Sequence, residues 1–280
     1  SKYDLVISNS ASVAHGAIAS LGSKHIAYIN SPMRYAWDLS HIYTDVVKFG
    51  SLKNVLKNIF VSFNRVWDVV SSRRADIVIC NSNFVKDRIE KYWGRKVDAV
   101  VYPPSKVYTG KVVEKRSDYY VSGAPFEPNK RGDFLLECAS KIGFRLKLIG
   151  DGSMRASLEK KYRGYRNIEF LGWVSDSEKW NILSHSKGFI IPGIEDYGIF
   201  CVEAISCGTP VLAFKGGGSL ETIEEGCSGE FFSSWNIIEF GKSFKKFDNM
   251  DWDNENVRNS LKNYNTVESF QEELLKMVVE

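Results

Sequence analysis

The 280-residue sequence has few metal ligands and no long apolar runs. It contains four histidines and five cysteines. No cysteines form a C-x-x-C pair and the histidines do not cluster with them, which argues against a zinc site. An odd cysteine count fits no closed disulfide framework. Cys80, Cys138 and Cys207 stand among apolar or small residues, and all five are expected as reduced thiols of a cytosolic protein. No signal-peptide pattern opens the chain, and no apolar run is long enough to span a bilayer. What remains is the composition of a soluble enzyme: 44% hydrophobic, 25% charged, net charge +3. The length suggests two domains, with ample cores.

Strand-like apolar runs alternate with helix-like stretches, as in a doubly wound α/β sheet. Strands are expected at 4–8, 25–29, 77–80 and 99–101, and then at 119–122, 145–149, 168–171, 188–191 and 211–214. Helices are expected at 133–140, 154–162, 178–185 and 220–225. Pro103 and Pro104 break the pattern, and the stretch after them is polar and basic. Residues 1–104 are therefore read as one Rossmann-like domain and 105–265 as a second. The tail 266–280 has apolar residues at helical spacing.

The densest pattern is IPGIEDYGIFCVEAISCGTPV. An apolar strand leads into a polar loop holding Glu195. Gly198 then opens a helix that carries Glu203 and ends at Gly208. This order puts a helix N-terminus at the carboxyl edge of a parallel sheet. Free N–H groups there suit a diphosphate, and Gly198 permits close approach of a ligand. Two acids flanking an anion site suit a ligand that joins phosphates to sugar hydroxyls. The alternative is an ordinary connection with surface acids.

These residues resemble the E-x7-E motif of the GT4 glycosyltransferases, which have the GT-B fold. RRADIVICNSNFVKDRIEKYWG, VVYPPSKV, EPNKRGDFLLECA, FRLKLIGDGSMRASLEKK, NIEFLGWVSDSE and KGGGSLETIEEGCSGEFF follow in family order. SPMRYAWD is similar to a signature of WbaZ-like mannosyltransferases. The resemblance implies two Rossmann-like domains, the N-terminal one truncated, reduced or completed by a partner chain, with the tail crossing back onto it. It implies retaining transfer of a hexose, mannose from GDP-mannose being favoured, to a glycan or lipid-linked acceptor. No cofactor, metal or nucleic acid is implied. A sugar-nucleotide-binding subunit that needs a partner chain is the alternative.

The resemblance also distributes roles. Lys130 faces the leaving diphosphate, and Glu195 orients the donor sugar and stabilises its developing positive charge. Glu203 accepts from the ribose hydroxyls. Gly123, Arg131, Val174, Gly198, Ile199 and Phe200 complete the donor side. Asn30 and Arg34 stand on the acceptor side, with a structural salt bridge as the alternative for Arg34. His15, in a small-residue helix start, reads either as an acceptor-side contact or as a capping or core residue. Gly150 and Asp151 read as a tight turn, and Trp173 as base seat or core. Two positions depart from the pattern: Pro125 stands where relatives carry an arginine, and Asn30 where they carry a histidine. Asp251 and Asp253 spell D-x-D in a polar tail and read as surface. With no D-x-D at a strand end, helix N–H groups and Lys130 would meet the diphosphate charge in a front-face reaction.

One further pattern leaves two readings open. Leu52, Val55, Leu56, Ile59, Phe60, Phe63, Val66 and Trp67 recur at helical spacing, with Lys53, Lys57 and Arg65 elsewhere on the wheel. The region Lys48 to Arg116 is basic. Either the stripe packs on the sheet, or it docks on an anionic membrane at the cytoplasmic face.

Overall fold

The computed structural model describes the backbone of residues 3–40, 51–123 and 126–279, and the side chains of all these except 51–54. Lys48 and Pro125 lie outside the described residues. Packing divides the chain into Ser1–Pro104 with Val267–Glu280, and Ser105–Thr266.

The first unit holds a four-stranded parallel sheet of β1 (Leu5–Ser10), β2 (Lys24–Ile29), β3 (Ile77–Cys80) and β4 (Ala99–Val100), in that order. Side-chain alternation on β2 feeds two cores. Ala27 and Ile29 join Val78 of β3 and Val85, Ile89 and Trp93 of helix α2 (Asn83–Trp93). Ile26 and Tyr28 join Ile79 and Val101, against Phe270 and Leu274 of the C-terminal helix Val267–Val279. Strand β1 lies at the sheet edge; Ile7 on it, and Val13, Ile18 and Leu21 in its connection to β2, are exposed.

Helix α1 (Ser51–Ser72) turns the expected packing inside out. Its buried face carries Asp68, Ser71 and Ser72, with Trp67 and Val69 half-buried beside them. Asp68, wholly buried, accepts from the indole N–H groups of Trp37 (2.8 Å) and Trp93 (2.6 Å), and Ser71 bonds His15 at 3.0 Å. Val55, Leu56, Ile59, Phe60, Phe63, Val66 and Val70 point outward, each at least 52% exposed. The reading in which the stripe packs on the sheet is therefore corrected. Satisfying the buried Asp68–tryptophan–histidine group requires the polar face inward.

The second unit is a six-stranded parallel sheet: β5 (Tyr120–Gly123), β6 (Leu146–Ile149), β7 (Ile168–Gly172), β8 (Gly188–Ile191), β9 (Val211–Phe214) and β10 (Gly229–Phe232), ordered β10-β9-β8-β5-β6-β7. Chain order reverses between β5 and β8, so the crevice beyond their carboxyl ends is the topological switch point. Helix α3 (Gly132–Ile142) follows β5, and α4 (Arg155–Tyr162) follows β6. Helix α5 (Asp176–His185) precedes β8 and opens with a Ser175–Glu178 capping box. Helix α6 (Ile199–Ser206) follows β8. The expected helix at 220–225 is the short α7 (Ser219–Thr222).

Strand β10 and helices α8 (Ile237–Asp248) and α9 (Asn254–Asn259) were not expected from the sequence. The signal for α8 was present: Asn236 caps it, and the buried Phe240, Phe244 and Phe247 recur at helical spacing. Asp253 caps α9, which gives the second aspartate of DWD its role.

Arg116 opens this unit. Its guanidinium donates to the carbonyls of Ser184, Ser186 and Gly208 and to the Thr209 hydroxyl at 2.6–3.0 Å. The cation thus meets the chain just past the C-terminus of α6, where helix carbonyls lack partners. Burial holds the guanidinium down to about 10. All five cysteines are free thiols, and burial pushes Cys138, Cys201 and Cys207 up to about 12. Among the described residues no helix is long and apolar enough to cross a membrane.

Candidate functional site

The recess at the switch point is lined by Ser122 and Gly123 from the end of β5, and by Ile191 and Pro192 from the end of β8. Lys130, Glu195, Gly198, Ile199 and Phe200 complete it. It encloses about 550 Å³, part of it open to solvent. The Ser122 hydroxyl donates to Ile190 O at 2.7 Å and ties the two strands together at its floor.

Local backbone explains how the lining is held. Gly198 caps α6 at φ 95°, a left-handed conformation that costs glycine little. The first-turn N–H groups of α6 face no helical carbonyl. The loop KGGG (215–218) presses against the segment holding Glu195: Gly218 N–H donates to Glu195 O at 2.9 Å, and a Cβ on Gly218 would stand 2.5 Å from Tyr197 Cα. A side chain there would push the Glu195 loop away.

Lys130 ends the short helical turn Pro128–Lys130, and its Nζ donates to Glu195 Oε2 at 2.5 Å. Both side chains are about one-fifth exposed, at 20% and 18%. A cation and a carboxylate thus stand together at the mouth of an anion-favouring helix start. Arg131, next in sequence, is left-handed (φ 55°) and lies over the Trp235 ring at 4.4 Å. That indole stacks on Phe214 and donates to Pro192 O. Arg131 is therefore a half-buried stacked cation beside the recess rather than a plain surface charge.

Glu203 stands apart from the recess lining. It is 4% exposed, and its Oε1 accepts from Lys179 Nζ at 2.5 Å. Burial raises the Glu203 carboxyl above its ordinary value, with the Lys179 hydrogen bond opposing this. Lys179, on α5, was missed by sequence reasoning. It is one lysine among many on an ordinary capped helix, and only the fold brings it to Glu203.

The other expected residues scatter. Val174 is half-buried against the core of this unit, while Trp173 is 83% exposed, which corrects its reading as core. In the first unit His15 is wholly buried, bonded by Ser10 and Ser71 and flanked by Trp67 and Trp93. The acceptor-side reading of His15 is corrected to its core alternative, since the residue is buried and both ring nitrogens bond serines of the interior. Arg34 pairs with Asp38 at 3.5 Å, and Asp38 also accepts from Arg88 at 2.8 Å. Asn30 donates to Asn9 at 2.5 Å. Among the described residues no three His, Cys, Asp or Glu side chains converge as metal ligands would.

Residues 111–266, more than half of the chain, match the family described as Glycosyl transferases group 1. The chain belongs to this family. An uncharacterized glycosyltransferase of Methanocaldococcus jannaschii is 29% identical over 189 residues, covering 64% of this chain and 51% of that protein. A GDP-mannose-dependent alpha-(1-6)-phosphatidylinositol dimannoside mannosyltransferase of Mycobacterium tuberculosis is 32% identical over 80 residues, 28% of this chain and 21% of that protein. The chain thus spans about half the length of the first relative and about a fifth of the second.

Among solved structures, sucrose-phosphate synthase from Thermosynechococcus elongatus superposes with TM-score 0.75 at 14% identity, covering 99% of this chain and 73% of that one. Anabaena HepE in complex with UDP and glucose superposes at 0.62 and 16% identity, covering 92% and 87%. These likenesses show the group 1 glycosyltransferase's fold, two parallel α/β sheets of GT-B type.

Proposed function

We propose that this chain carries out retaining, metal-independent glycosyl transfer of the GT4 kind, moving a hexose from a nucleotide sugar to a glycan or lipid-linked acceptor. The observation that carries the reading is the convergence of Lys130, Glu195, Gly198, Ile199 and Phe200 at the switch point of one sheet. Lys130 neutralises the diphosphate together with the first N–H groups of α6. Glu195, bonded to Lys130, faces the sugar and offsets positive charge at its anomeric carbon. Glu203 accepts from the ribose. The nucleotide sugar is a co-substrate, and no further cofactor enters.

GDP-mannose is the favoured donor, supported by the SPMRYAWD stretch and by the named activity of the mycobacterial relative. The HepE complex holds UDP and glucose, which makes UDP-glucose the comparison donor. The test is a transfer assay with both donors, reading the product anomer by NMR. An inverted product, or no transfer from either, overturns the reading. Transfer is expected to persist in excess EDTA, because Lys130 and helix N–H groups take the cation's place. Complete loss on chelation with recovery on Mg²⁺ or Mn²⁺ would refute metal independence.

A lipid-linked acceptor places the protein at the cytoplasmic face of an anionic membrane. Support comes from α1, whose outward stripe is apolar, whose one acid is buried, and whose C-terminal end leads to the exposed Arg73 and Arg74. The protein is expected to sediment with phosphatidylglycerol vesicles and not with phosphatidylcholine ones. Phe60→Glu with Phe63→Glu should abolish this, and an unchanged bound fraction would sink the docking surface.

A second reading, a sugar-nucleotide-binding subunit completed by a partner chain, is favoured by the exposed apolar residues Ile7, Val13, Ile18 and Leu21 beside the edge strand β1. GDP binding without transfer, and transfer on adding a partner chain, would select it.

A further inference from the structure

Glu203 presents an asymmetric carboxylate. Oε1 is taken by Lys179. Oε2 is buried and has no hydrogen-bond partner among the described residues. An orphaned buried carboxylate oxygen costs free energy unless a donor arrives. Lys179 is itself 9% exposed and spreads its charge over further groups. It lies 3.4 Å from Asp176 Oδ1, and near the rings of Trp180 (4.6 Å) and Phe200 (5.6 Å). Asp176 in turn pairs with the exposed Lys106 at 2.6 Å. A line of alternating charges therefore runs from the surface to Glu203: Lys106, Asp176, Lys179, Glu203. Phe200 lines the recess and touches this line through the Lys179 cation.

We propose that Lys179 is a positioning residue of the donor site, which holds Glu203 ionised and turned so that Oε2 is the acceptor for a hydroxyl of a nucleoside diphosphate. The proposal rests on reading Glu203 as the ribose ligand and adds to it the residue that makes the buried acid usable. Burial alone favours the neutral acid, and the hydrogen bond and charge of Lys179 oppose it most strongly. The charged groups that act on Glu203 are Lys179 and Asp176 from α5 and Lys106 from the segment before β5. Arg116 and Arg258 stand beside Cys207 at the other end of α6.

The sign follows. Removing Lys179 takes away the main effect that opposes burial and leaves only the weaker pull of Lys106, so Glu203 holds its proton to higher pH than in the parent. A protonated Glu203 is a poorer acceptor, so affinity should fall at neutral pH and recover as pH rises.

The experiment is calorimetric titration of GDP, and of UDP in parallel, from about pH 6 to about pH 9, a range in which an ordinary carboxyl is already ionised. Lys179→Met is expected to weaken binding about tenfold at neutral pH, the loss of one charge-supported hydrogen bond. It should approach parental affinity at the alkaline end. Lys179→Arg should keep a flat profile. In a Glu203→Gln background, Lys179→Met should cost nothing further, because no ionisation is left to support. Lys179→Gln, which keeps a donor without the charge, is read by the same criteria should the methionine variant not fold.

Parental affinity of Lys179→Met at every pH overturns the proposal. So does a loss that is equal at every pH and persists beside Glu203→Gln, which marks a purely structural lysine. Parental affinity of Glu203→Gln itself is a different failure: it removes the ribose-ligand reading, and this proposal with it.

Discussion

Glu195→Ala is expected to lower sugar transfer by roughly a hundredfold to a thousandfold while GDP affinity stays within about threefold of the parent. The asymmetry follows from when Glu195 is needed. Positive charge on the sugar develops only as the bond to phosphate breaks, so a carboxylate facing it acts chiefly in the transition state. GDP has no sugar at that position, so calorimetry with GDP should barely register the change. The ion pair with Lys130 sharpens the expectation. Removing Glu195 frees Lys130 for the diphosphate, which opposes any loss of affinity. Transfer at the parental rate would leave the pair of glutamates without a catalytic meaning.

Lys130→Ala should damage both measurements. The lysine meets the diphosphate before and during transfer, so GDP affinity should fall by about tenfold to a hundredfold, the range of a charge-assisted hydrogen bond. The variant also leaves Glu195 without its 2.5 Å partner, and an unneutralised carboxylate beside the phosphates repels them. The double variant Lys130→Ala/Glu195→Gln should therefore bind GDP more tightly than Lys130→Ala alone, a coupling that a mutant cycle measures. Unchanged GDP affinity in Lys130→Ala would show that the turn at Pro128–Lys130 does not face phosphate.

The second sheet was largely readable because each strand is a short apolar run ending in a loop of glycine or polar residues. The parallel α/β arrangement follows from that alternation alone. The Glu195–Gly198–Glu203 spacing was likewise local, since strand, loop and helix are consecutive. Features that depend on distant partners were not readable. Lys179 and Glu203 are 24 residues apart on two different helices, and nothing in either helix names the other. The orientation of α1 stays open in the sequence for the same reason. Its hydrophobic periodicity marks the stripe, but which face turns inward is decided by Asp68, Trp37, Trp93 and His15, drawn from four separate segments. Periodicity reports that a helix has two faces, and the polar partners select the buried one.

The strand order has a consequence for how the protein is assembled. Strand β5 pairs with β6, its successor in the chain, and with β8, which arrives only after two more helices and another strand. Every wall of the donor recess depends on that later pairing, and Lys130 meets Glu195 across 65 residues of chain. Closing so long a loop costs entropy before any contact repays it. A chain that has formed only β5, β6 and β7 has a core but no recess. On the proposed reading, a nucleotide would recognise the finished sheet alone and by mass action would draw the population of incomplete chains toward completion.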